Sequence, residues 1–265
     1  MATSRASRPK PLPVLQVLAE QYPEYDKDRL TAFIVCRNVL VNGELCTDPR
    51  AKVPPDSAIR FTFDRYVSRG GLKLEHALES WKLEVSGLVM LDAGASTGGF
   101  TDCLLRHGAK LVHSVDVGFN QLDWRLRTDN RVQVHEKQNI MTLGLLEPPV
   151  QSAVCDLSFR SIKGAASHIL SLCGGGWLVS LIKPQFEVPR WQENFFGVVE
   201  DAGLLEQVMT EVYQALREDG VGVHGLLRSP ITGRKGNTEF LALLDCRPGM
   251  DEAAYLQAFR TEARL

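Results

Sequence analysis

The chain has 265 residues, of which 44% are hydrophobic and 23% charged, as in soluble globular proteins with room for one large domain and a smaller one. A formal net charge of −2 excludes a globally basic protein, so any nucleic-acid surface must be local. No apolar run approaches the ~20 residues of a membrane span, and the first residues lack the apolar core of a secretory signal. The six cysteines are scattered, which predicts reduced thiols, no metal site and a cytoplasmic protein.

The N-terminal region predicts a disordered arm and then a small α+β domain. Residues 1–13 are polar, basic and proline-rich, a composition that favours disorder. Two short helices follow, and then apolar residues around Asn42-Gly43 that are typical of a β-hairpin. Residues 52–61 predict a turn and a closing strand. We therefore expect a small domain over residues 14–63.

Two helices, a VNG hairpin and a V-x-x-D-x-x-I strand resemble the S4-type RNA-binding fold of ribosomal protein S4 and several RNA-modifying enzymes. The chain departs from that pattern at Val14-Leu15-Gln16, where S4 domains usually begin with Arg-Leu-Asp. The resemblance implies RNA contacts, with ordinary solvated charges as the alternative. The residues assigned to these contacts are Arg29, Arg37, Asn38, Lys52 and Arg69.

From residue 88 onward strand and helix patterns alternate, which predicts an α/β domain with a doubly wound, mostly parallel sheet over residues 64–265. The predicted strands are 88–92, 111–116, 132–134, 152–156, 177–182, 221–227 and 240–244. The predicted helices are 101–107, 120–127, 161–173, 201–218 and 251–264, and another helix begins near residue 67, before the first strand.

A glycine-rich turn in the segment LDAGASTGGFTD, residues 91–102, organises this domain. It follows an apolar strand and precedes a helix, which is how open α/β sheets build nucleotide pockets. The spacing matches neither GxxxxGK[ST] nor G-x-G-x-x-G. Asp-x-Gly-x-x-x-Gly after a strand instead resembles the first motif of S-adenosylmethionine-dependent methyltransferases. The cofactor contacts expected from this motif are Asp92, Ala93, Gly94, Ser96, Gly98, Gly99 and Phe100.

Residues at the ends of the next two strands extend the predicted cofactor pocket. Asp116 ends the second strand, where an acidic side chain can accept hydrogen bonds from ribose hydroxyls. Capping of the following helix is the alternative role for Asp116, and Val117 directly follows it. Asn139 and Ile140 follow the third strand, in a loop placed to contact an adenine.

Four charged residues lie where the sheet would present them to a substrate. Lys73 precedes the first strand, Asp156 and Lys183 end the fourth and fifth strands, and Glu239 precedes the last strand. Charged residues next to apolar strands are poor core residues and good site residues. Each of them alone is also compatible with a structural ion pair.

Five segments in order, SRGGLKLE, LDAGASTGGFTDCLL, VDVG, LIKPQFE and SPITGRKGNTEF, resemble the TlyA, or hemolysin A-type, ribosomal RNA methyltransferases of the FtsJ-like 2′-O-methyltransferase group. The resemblance implies a class I methyltransferase sheet of seven strands with the last antiparallel, S-adenosylmethionine as cofactor, and ribosomal RNA or ribosomal subunits as substrate. It assigns a catalytic tetrad to Lys73, Asp156, Lys183 and Glu239, with Asp156 also at the cofactor. The family's Gly/Lys-rich run after KPQFE is replaced here, so the loop over 188–197 departs from the pattern.

The implied reaction transfers the sulfonium methyl group to a ribose 2′-hydroxyl. The resemblance gives Lys183 the task of removing or orienting the hydroxyl proton, with desolvation and the charge of Lys73 expected to lower its pKa. Asp156 and Glu239 would orient the two lysines. The alternatives are a non-catalytic RNA-binding or ribosome-assembly protein, a membrane-lysing toxin, and a small-molecule methyltransferase. The absence of a spanning or basic amphipathic stretch argues against the toxin, and the S4-like region against the small-molecule enzyme.

Overall fold

The computed structural model describes residues 10–23, 25–35, 38–61, 66–158, 160–188, 197–199, 201–233 and 236–264. The chain divides into two compact units, residues 1–64 and 65–265. Within the described residues, no helix is long and apolar enough to cross a membrane.

The N-terminal unit contains two helices and a three-stranded antiparallel sheet. Its apolar core includes Val14, Leu18, Leu30, Ile34 and Val39. Asn42 and Gly43 have φ angles of 51° and 89°, the left-handed pair that a tight hairpin requires. In chain order the elements are β1 (Leu12–Pro13), α1 (Val14–Gln21), α2 (Lys27–Val35), β2 (Val39–Val41), β3 (Glu44–Cys46), β4 (Lys52–Val53) and β5 (Ile59–Phe61), and the sheet order is β3-β2-β5.

The end of the predicted disordered arm differs from the expectation for residues 1–13. Strand β1 pairs with β4, and the Val14 amide donates a hydrogen bond to the Ala51 carbonyl at 2.8 Å. These backbone partners, together with the buried Val14 side chain, order the chain from residue 12 onward. Residues 1–9 lie outside the described part of the chain.

The larger unit contains the predicted doubly wound sheet, and its fold class is confirmed. Seven strands of the described chain lie in the order β11-β12-β10-β9-β6-β7-β8. Strand β12 is antiparallel to both of its neighbours, while the pairs among β10, β9, β6, β7 and β8 are parallel. The strands are β6 (Val89–Ala93), β7 (Leu111–Asp116), β8 (Val132–Glu136), β9 (Ser152–Cys155), β10 (Leu178–Ile182), β11 (Gly222–Arg228) and β12 (Phe240–Asp245).

Helices cover both faces of this sheet. Successive residues of a strand enter different apolar clusters, as the two-residue period of a strand requires: Leu91 lies in one cluster and Met90 in the other. The helices are α3 (Gly70–Trp81), α4 (Gly99–Arg106), α5 (Trp124–Arg127), α6 (Ala165–Ser171), α7 (Pro184–Glu187), α8 (Ala202–Glu218) and α9 (Glu252–Ala263). A 3₁₀ turn covers Ile140–Thr142.

Three helices begin later than the sequence predicts, and the first of them, α3, begins at Gly70 and not near residue 67. Helix α5 begins at Trp124 because Asn120 has a φ of 57° and Asp123 caps the helix through the Arg125 amide at 2.9 Å. Helix α6 begins at Ala165, directly after Gly164 at a φ of 71°. The short helix α7 was not predicted, and it begins with Pro184, a residue suited to the first helical position.

The reversed direction of β12 matters for the site. Ile182 at the end of β10 is paired with Phe240 at the start of β12. Lys183 and Glu239, the next residues outward, therefore leave the sheet at the same edge. Cys155 at the end of β9 is paired in turn with Ala93 at the end of β6, which brings Asp156 to this edge as well.

Candidate active site

The glycine turn between β6 and α4 is packed so closely that it admits no larger residue at two positions. Gly94 has a φ of 88°, and a Cβ there would lie 2.7 Å from the Asp156 carbonyl oxygen. Gly98 has a φ of 96°, and a Cβ there would lie 2.2 Å from Leu126 Cδ1. Both residues therefore have to be glycine, which fixes the path of the turn at the edge of the sheet.

Asp92 is fully buried beneath this turn. Its Oδ2 accepts a hydrogen bond from Thr101 Oγ1 at 2.6 Å, and the Thr101 hydroxyl also lies 2.7 Å from Ser114 Oγ. Its Oδ1 is buried without a hydrogen-bond partner in the protein. Burial raises the pKa of the Asp92 carboxyl from 3.8 to about 7, because desolvation penalises the charged form. The site therefore contains a carboxyl oxygen with spare bonding capacity.

Asp116 fastens the turn from the neighbouring strand. Its Oδ2 accepts from the Ser96 amide at 2.8 Å, and its Oδ1 accepts from the Gly118 amide at 2.7 Å. The alternative role of capping the next helix falls instead to Asp123, the N-cap of α5. Each carboxylate oxygen has a second lone pair, so the hydrogen bond to a ribose hydroxyl remains a prediction.

The other predicted cofactor residues fall into two groups. Ala93, Phe100 and Ile140 are buried in the apolar clusters, so ligand contacts at these positions would involve their backbone atoms. Val117 is 70% exposed, and Asn139 is exposed with its Oδ1 accepting from the Met141 amide at 3.0 Å. Gly99 lies under Ser68, whose Oγ a Cβ would approach to 2.3 Å.

The electrostatics of the turn favour a positively charged ligand. Among the residues that the structure describes, neither Asp92 nor Asp116 forms an ion pair; both are bonded to hydroxyl or amide groups. Neutral donors leave a carboxylate's charge uncompensated, so a cation bound beside it is stabilised. The unpartnered oxygen of Asp92 and the uncompensated carboxylate of Asp116 fit a sulfonium cofactor.

The four residues of the predicted tetrad form two lysine–carboxylate pairs. Lys73 Nζ donates to Glu239 Oε2 at 2.6 Å, and the two side chains are 11% and 4% exposed. Lys183 Nζ is ion-paired with Asp156 Oδ1 and donates to the Leu157 carbonyl at 3.0 Å. Ser158 Oγ, at 3.4 Å, is a third partner of the Lys183 ammonium.

Asp156 lies between the glycine turn and the two lysine–carboxylate pairs. Its amide donates to the Ala93 carbonyl at 3.0 Å, and its own carbonyl lies against Gly94. Its side chain meets Lys183. The backbone of Asp156 thus contacts the glycine turn while its side chain contacts Lys183.

Glu187 and Asn237 hold the site together, although the sequence pattern gave them no role. Glu187 is buried, with its pKa raised by desolvation, and it accepts from Ser161 Oγ and from the Ile162 amide at 2.8 Å, fixing the loop that follows Asp156. Asn237 donates to the Gly197 carbonyl at 2.7 Å and accepts from the Val199 amide at 3.1 Å. Glu187 lies in the segment LIKPQFE and Asn237 in the segment SPITGRKGNTEF, and no local pattern distinguishes either of them from the polar residues around it.

The residues predicted to contact RNA are only partly described. Lys52 and Arg69 are exposed, and Asn38 is half-buried. Arg37 and the side chain of Arg29 lie outside the described residues. The structure therefore leaves RNA contact at these positions a prediction.

A doubly wound sheet with an antiparallel strand, a glycine turn and polar residues at its carboxyl edge defines the class I methyltransferase fold. The model of the FtsJ-like methyltransferase family matches residues 66–246, and the chain belongs to this family. The resemblance to the FtsJ-like and TlyA proteins is thereby confirmed.

Three relatives illustrate the family. The chain is 43% identical over 185 residues to YqxC of Bacillus subtilis, a candidate rRNA methyltransferase; this match covers 67% of the chain and 64% of YqxC. It is 38% identical over 212 residues to the 16S/23S rRNA (cytidine-2'-O)-methyltransferase TlyA of Mycobacterium tuberculosis, covering 78% of the chain and 79% of that protein. The solved structure of a candidate hemolysin from Streptococcus thermophilus has a TM-score of 0.73 at 35% identity and covers 97% of each chain.

Proposed function

We propose that this protein transfers a methyl group from S-adenosylmethionine to a ribose 2′-hydroxyl of ribosomal RNA. The observation that carries the proposal is the pair of ion pairs, Lys73–Glu239 and Lys183–Asp156, beside an anionic glycine turn. The mycobacterial relative, named for 2'-O-methylation of cytidine in 16S and 23S rRNA, supports the choice of atom and substrate.

The residues of the turn fit the cofactor. Gly94 to Gly99 would surround its methionine part, and Asp116 is placed for its ribose, while Asp92 offers an unpartnered carboxyl oxygen below. When bound, S-adenosylmethionine supplies an electrophilic methyl group on a positively charged sulfur. Because the methyl group is already activated, the protein needs mainly to align the hydroxyl and take its proton.

Lys183 is the residue proposed to take that proton. In its neutral form the amine accepts the proton of the 2′-hydroxyl, and the resulting ammonium is stabilised by Asp156 and the Leu157 carbonyl. The Lys73–Glu239 pair borders the same sheet edge, because Glu239 precedes β12. We propose that this pair orients the ribose, with Lys73 as a hydrogen-bond donor and Glu239 as an acceptor.

The N-terminal unit is proposed to bind RNA. It combines two helices, a left-handed Asn42-Gly43 hairpin and a closing strand, the same succession as in S4-type domains. We infer a domain over residues 14–63 that holds the substrate and a catalytic domain over 64–265 that modifies it. Arg29, Arg37, Asn38 and Lys52 of this unit, with Arg69 at the start of the larger unit, are the proposed RNA contacts. Charge reversal at the four basic positions should flatten the salt dependence of RNA affinity.

The experiment that tests the function is transfer of tritiated methyl from S-adenosylmethionine to ribosomal subunits that lack the modification. We expect label in an alkali-resistant dinucleotide, because a 2′-O-methyl group blocks cleavage of the adjacent phosphodiester. Lys183→Ala should lower kcat by about 10²- to 10⁴-fold, the usual worth of a general base, with cofactor affinity within about twofold. Lys110→Ala, at an exposed lysine, is the matched control.

Two results would count against the proposal. Normal turnover of Lys183→Ala would remove the lysine from the reaction. Cofactor binding without transfer to any ribosomal RNA would favour the binding or assembly role instead.

A further inference from the structure

The segment between β7 and α5 exposes large apolar side chains beside the cofactor turn. Val117, Phe119 and Trp124 are 70%, 65% and 73% exposed. Among the described residues of the larger unit, Leu145 is the other large hydrophobic side chain with comparable exposure, and it lies in a different loop. Three such side chains within eight residues mark a binding surface better than scattered ones do.

This exposure belongs to an anchored segment. Leu122 and Leu126 are 6% and 4% exposed, and both pack directly against the position of Gly98. The Asp123 amide donates to the Thr97 carbonyl at 3.2 Å, and the Lys137 amide donates to the Gly118 carbonyl at 3.0 Å. The backbone is therefore fastened to the glycine turn at Asp123 and to the residue after β8 at Gly118, while the side chains of Phe119 and Trp124 stay exposed.

Positive charge accompanies the two aromatic rings. Lys137 Nζ lies 4.2 Å from the centroid of the Phe119 ring, a cation–π arrangement. Arg125 follows Trp124 and is bonded to Asp123. Aromatic faces with a lysine alongside are the combination that single-stranded nucleic acid uses, since bases stack on the rings and the cation meets phosphate.

We infer that Phe119 and Trp124 are a stacking platform for unpaired bases of the RNA that flank the methylated nucleotide, with Lys137 contacting the backbone. The inference rests on the proposed function. Two observations favour RNA over a protein partner. The platform packs against the glycine turn proposed to hold the cofactor. Lys137 places a cation on one face of Phe119, so a base would stack on the exposed remainder of that ring or on Trp124 while the cation meets phosphate.

The first test separates substrate binding from chemistry. Phe119→Ala and Trp124→Ala should each raise KM for ribosomal RNA roughly tenfold, the loss of one stacked base, with kcat and cofactor affinity near wild type. Trp124→Phe keeps a ring and should restore most of the lost affinity. Leu145→Ala removes an equally exposed side chain elsewhere and is the matched control. A KM unchanged in both alanine variants would overturn the platform, as would a loss of cofactor affinity matching the loss for RNA.

The second test does not depend on methyl transfer. Titrating a short single-stranded oligoribonucleotide into the full-length protein should quench tryptophan fluorescence, and the quench should be absent from Trp124→Phe. Lys137→Gln should reduce the salt slope of binding by about 0.7, the contribution of one phosphate contact in a single strand. A missing quench contradicts the platform even if transfer occurs; a quench without transfer to any RNA retains the platform and rejects the proposed function. Self-association lost in Phe119→Ala, seen by sedimentation, would assign the surface to a second copy and overturn the inference.

Discussion

The cofactor turn and the catalytic edge hold their carboxylates in opposite ways. At the turn, Asp92 is bonded to the Thr101 hydroxyl and Asp116 to two backbone amides. At the sheet edge that carries the two lysine–carboxylate pairs, Asp156 and Glu239 each form an ion pair with a lysine ammonium. The donors at the turn leave Asp92 Oδ1 without a hydrogen-bond partner and add no positive charge, whereas the lysines neutralise the charge of the carboxylates that they meet.

The difference matches two chemical tasks. Hydroxyl and amide donors fix the shape of the turn without adding positive charge, so a cationic ligand meets attraction there. Lysine–carboxylate pairs remove the net charge and keep a titratable amine next to an acceptor, which suits proton transfer. In the proposed reaction the site would thus separate the binding of a cation from the transfer of a proton, although the Asp156 backbone borders both regions.

The largest effect on stability is expected from breaking the more buried pair. Lys73→Ala leaves Glu239, 4% exposed, without its cation, and should lower the free energy of unfolding by about 3–5 kcal/mol. The double variant Lys73→Met/Glu239→Leu should recover most of this loss, since no unpaired charge remains. Urea unfolding measures both. A single variant that loses less than about 1 kcal/mol would show that Glu239 finds another partner.

The second-largest effect on the free energy of unfolding is expected at Asp92, whose carboxyl is bonded to a hydroxyl and not to a cation. The folded-state pKa of Asp92 is about 7, against 3.8 for an aspartate in water, so the unfolded state loses its proton first as pH rises. The stabilisation of the folded state by the protonated Asp92 carboxyl is therefore lost as the pH rises from about 4 to 7, and it stays absent above that range. Asp92→Asn removes the penalty and should raise the free energy of unfolding at pH 8 by a few kcal/mol, with little change near pH 4.

Asp129→Asn is a control that should change stability at pH 8 in the opposite direction. The hydrogen bond from Arg131 lowers the pKa of Asp129, so its carboxylate stabilises the fold at pH 8 and the asparagine variant should be less stable there. Stability curves of Asp92→Asn and wild type that run parallel from pH 4 to 8 would contradict the assignment.

The smallest effect tests the charge of the turn directly. Asp116→Asn should weaken binding of S-adenosylmethionine about tenfold, through loss of the proposed ribose hydrogen bond and of the negative charge that attracts the sulfonium. The uncharged product S-adenosylhomocysteine has the ribose but not the sulfonium, so its affinity should fall distinctly less. Glu136→Gln is the matched control, since Glu136 ends the adjacent strand but is already paired with Arg127. Calorimetric titration with both ligands gives the comparison. Equal losses for the two ligands would mean that Asp116 acts through the ribose alone and that its charge contributes nothing at the sulfonium.

Most of the fold of the larger unit could be predicted from the sequence, because the apolar pattern and the residues that end each element indicate the same boundaries. Strand β7 was predicted at both ends, since an apolar run stops at Asp116 and a glycine follows. The beginnings of α5 and α6 were missed because they depend on Asn120 and Gly164 at positive φ, which composition does not reveal. At the N terminus, the pairing of β1 with β4 joins segments about 40 residues apart, and no local pattern shows such a partner.

The site was predictable as a set of residues but not as a set of contacts. Charges next to apolar strands pointed to Asp156, Lys183 and Glu239. Which lysine meets which carboxylate depends on β12 being inserted beside β10, a matter of strand order. The hydroxyl chain from Asp92 through Thr101 to Ser114 likewise joins two strands through a helix, and nothing in its spacing identifies it.

The anchors on either side of residues 189–196 have a consequence for how such enzymes diversify. Glu187 ties the chain to the Ser161–Ile162 loop just before this segment, and Asn237 ties it to the last sheet hairpin just after, at Gly197 and Val199. Insertions between two fixed points leave the points themselves in place. We therefore expect changes of sequence between these two anchors to leave the lysine pairs in place.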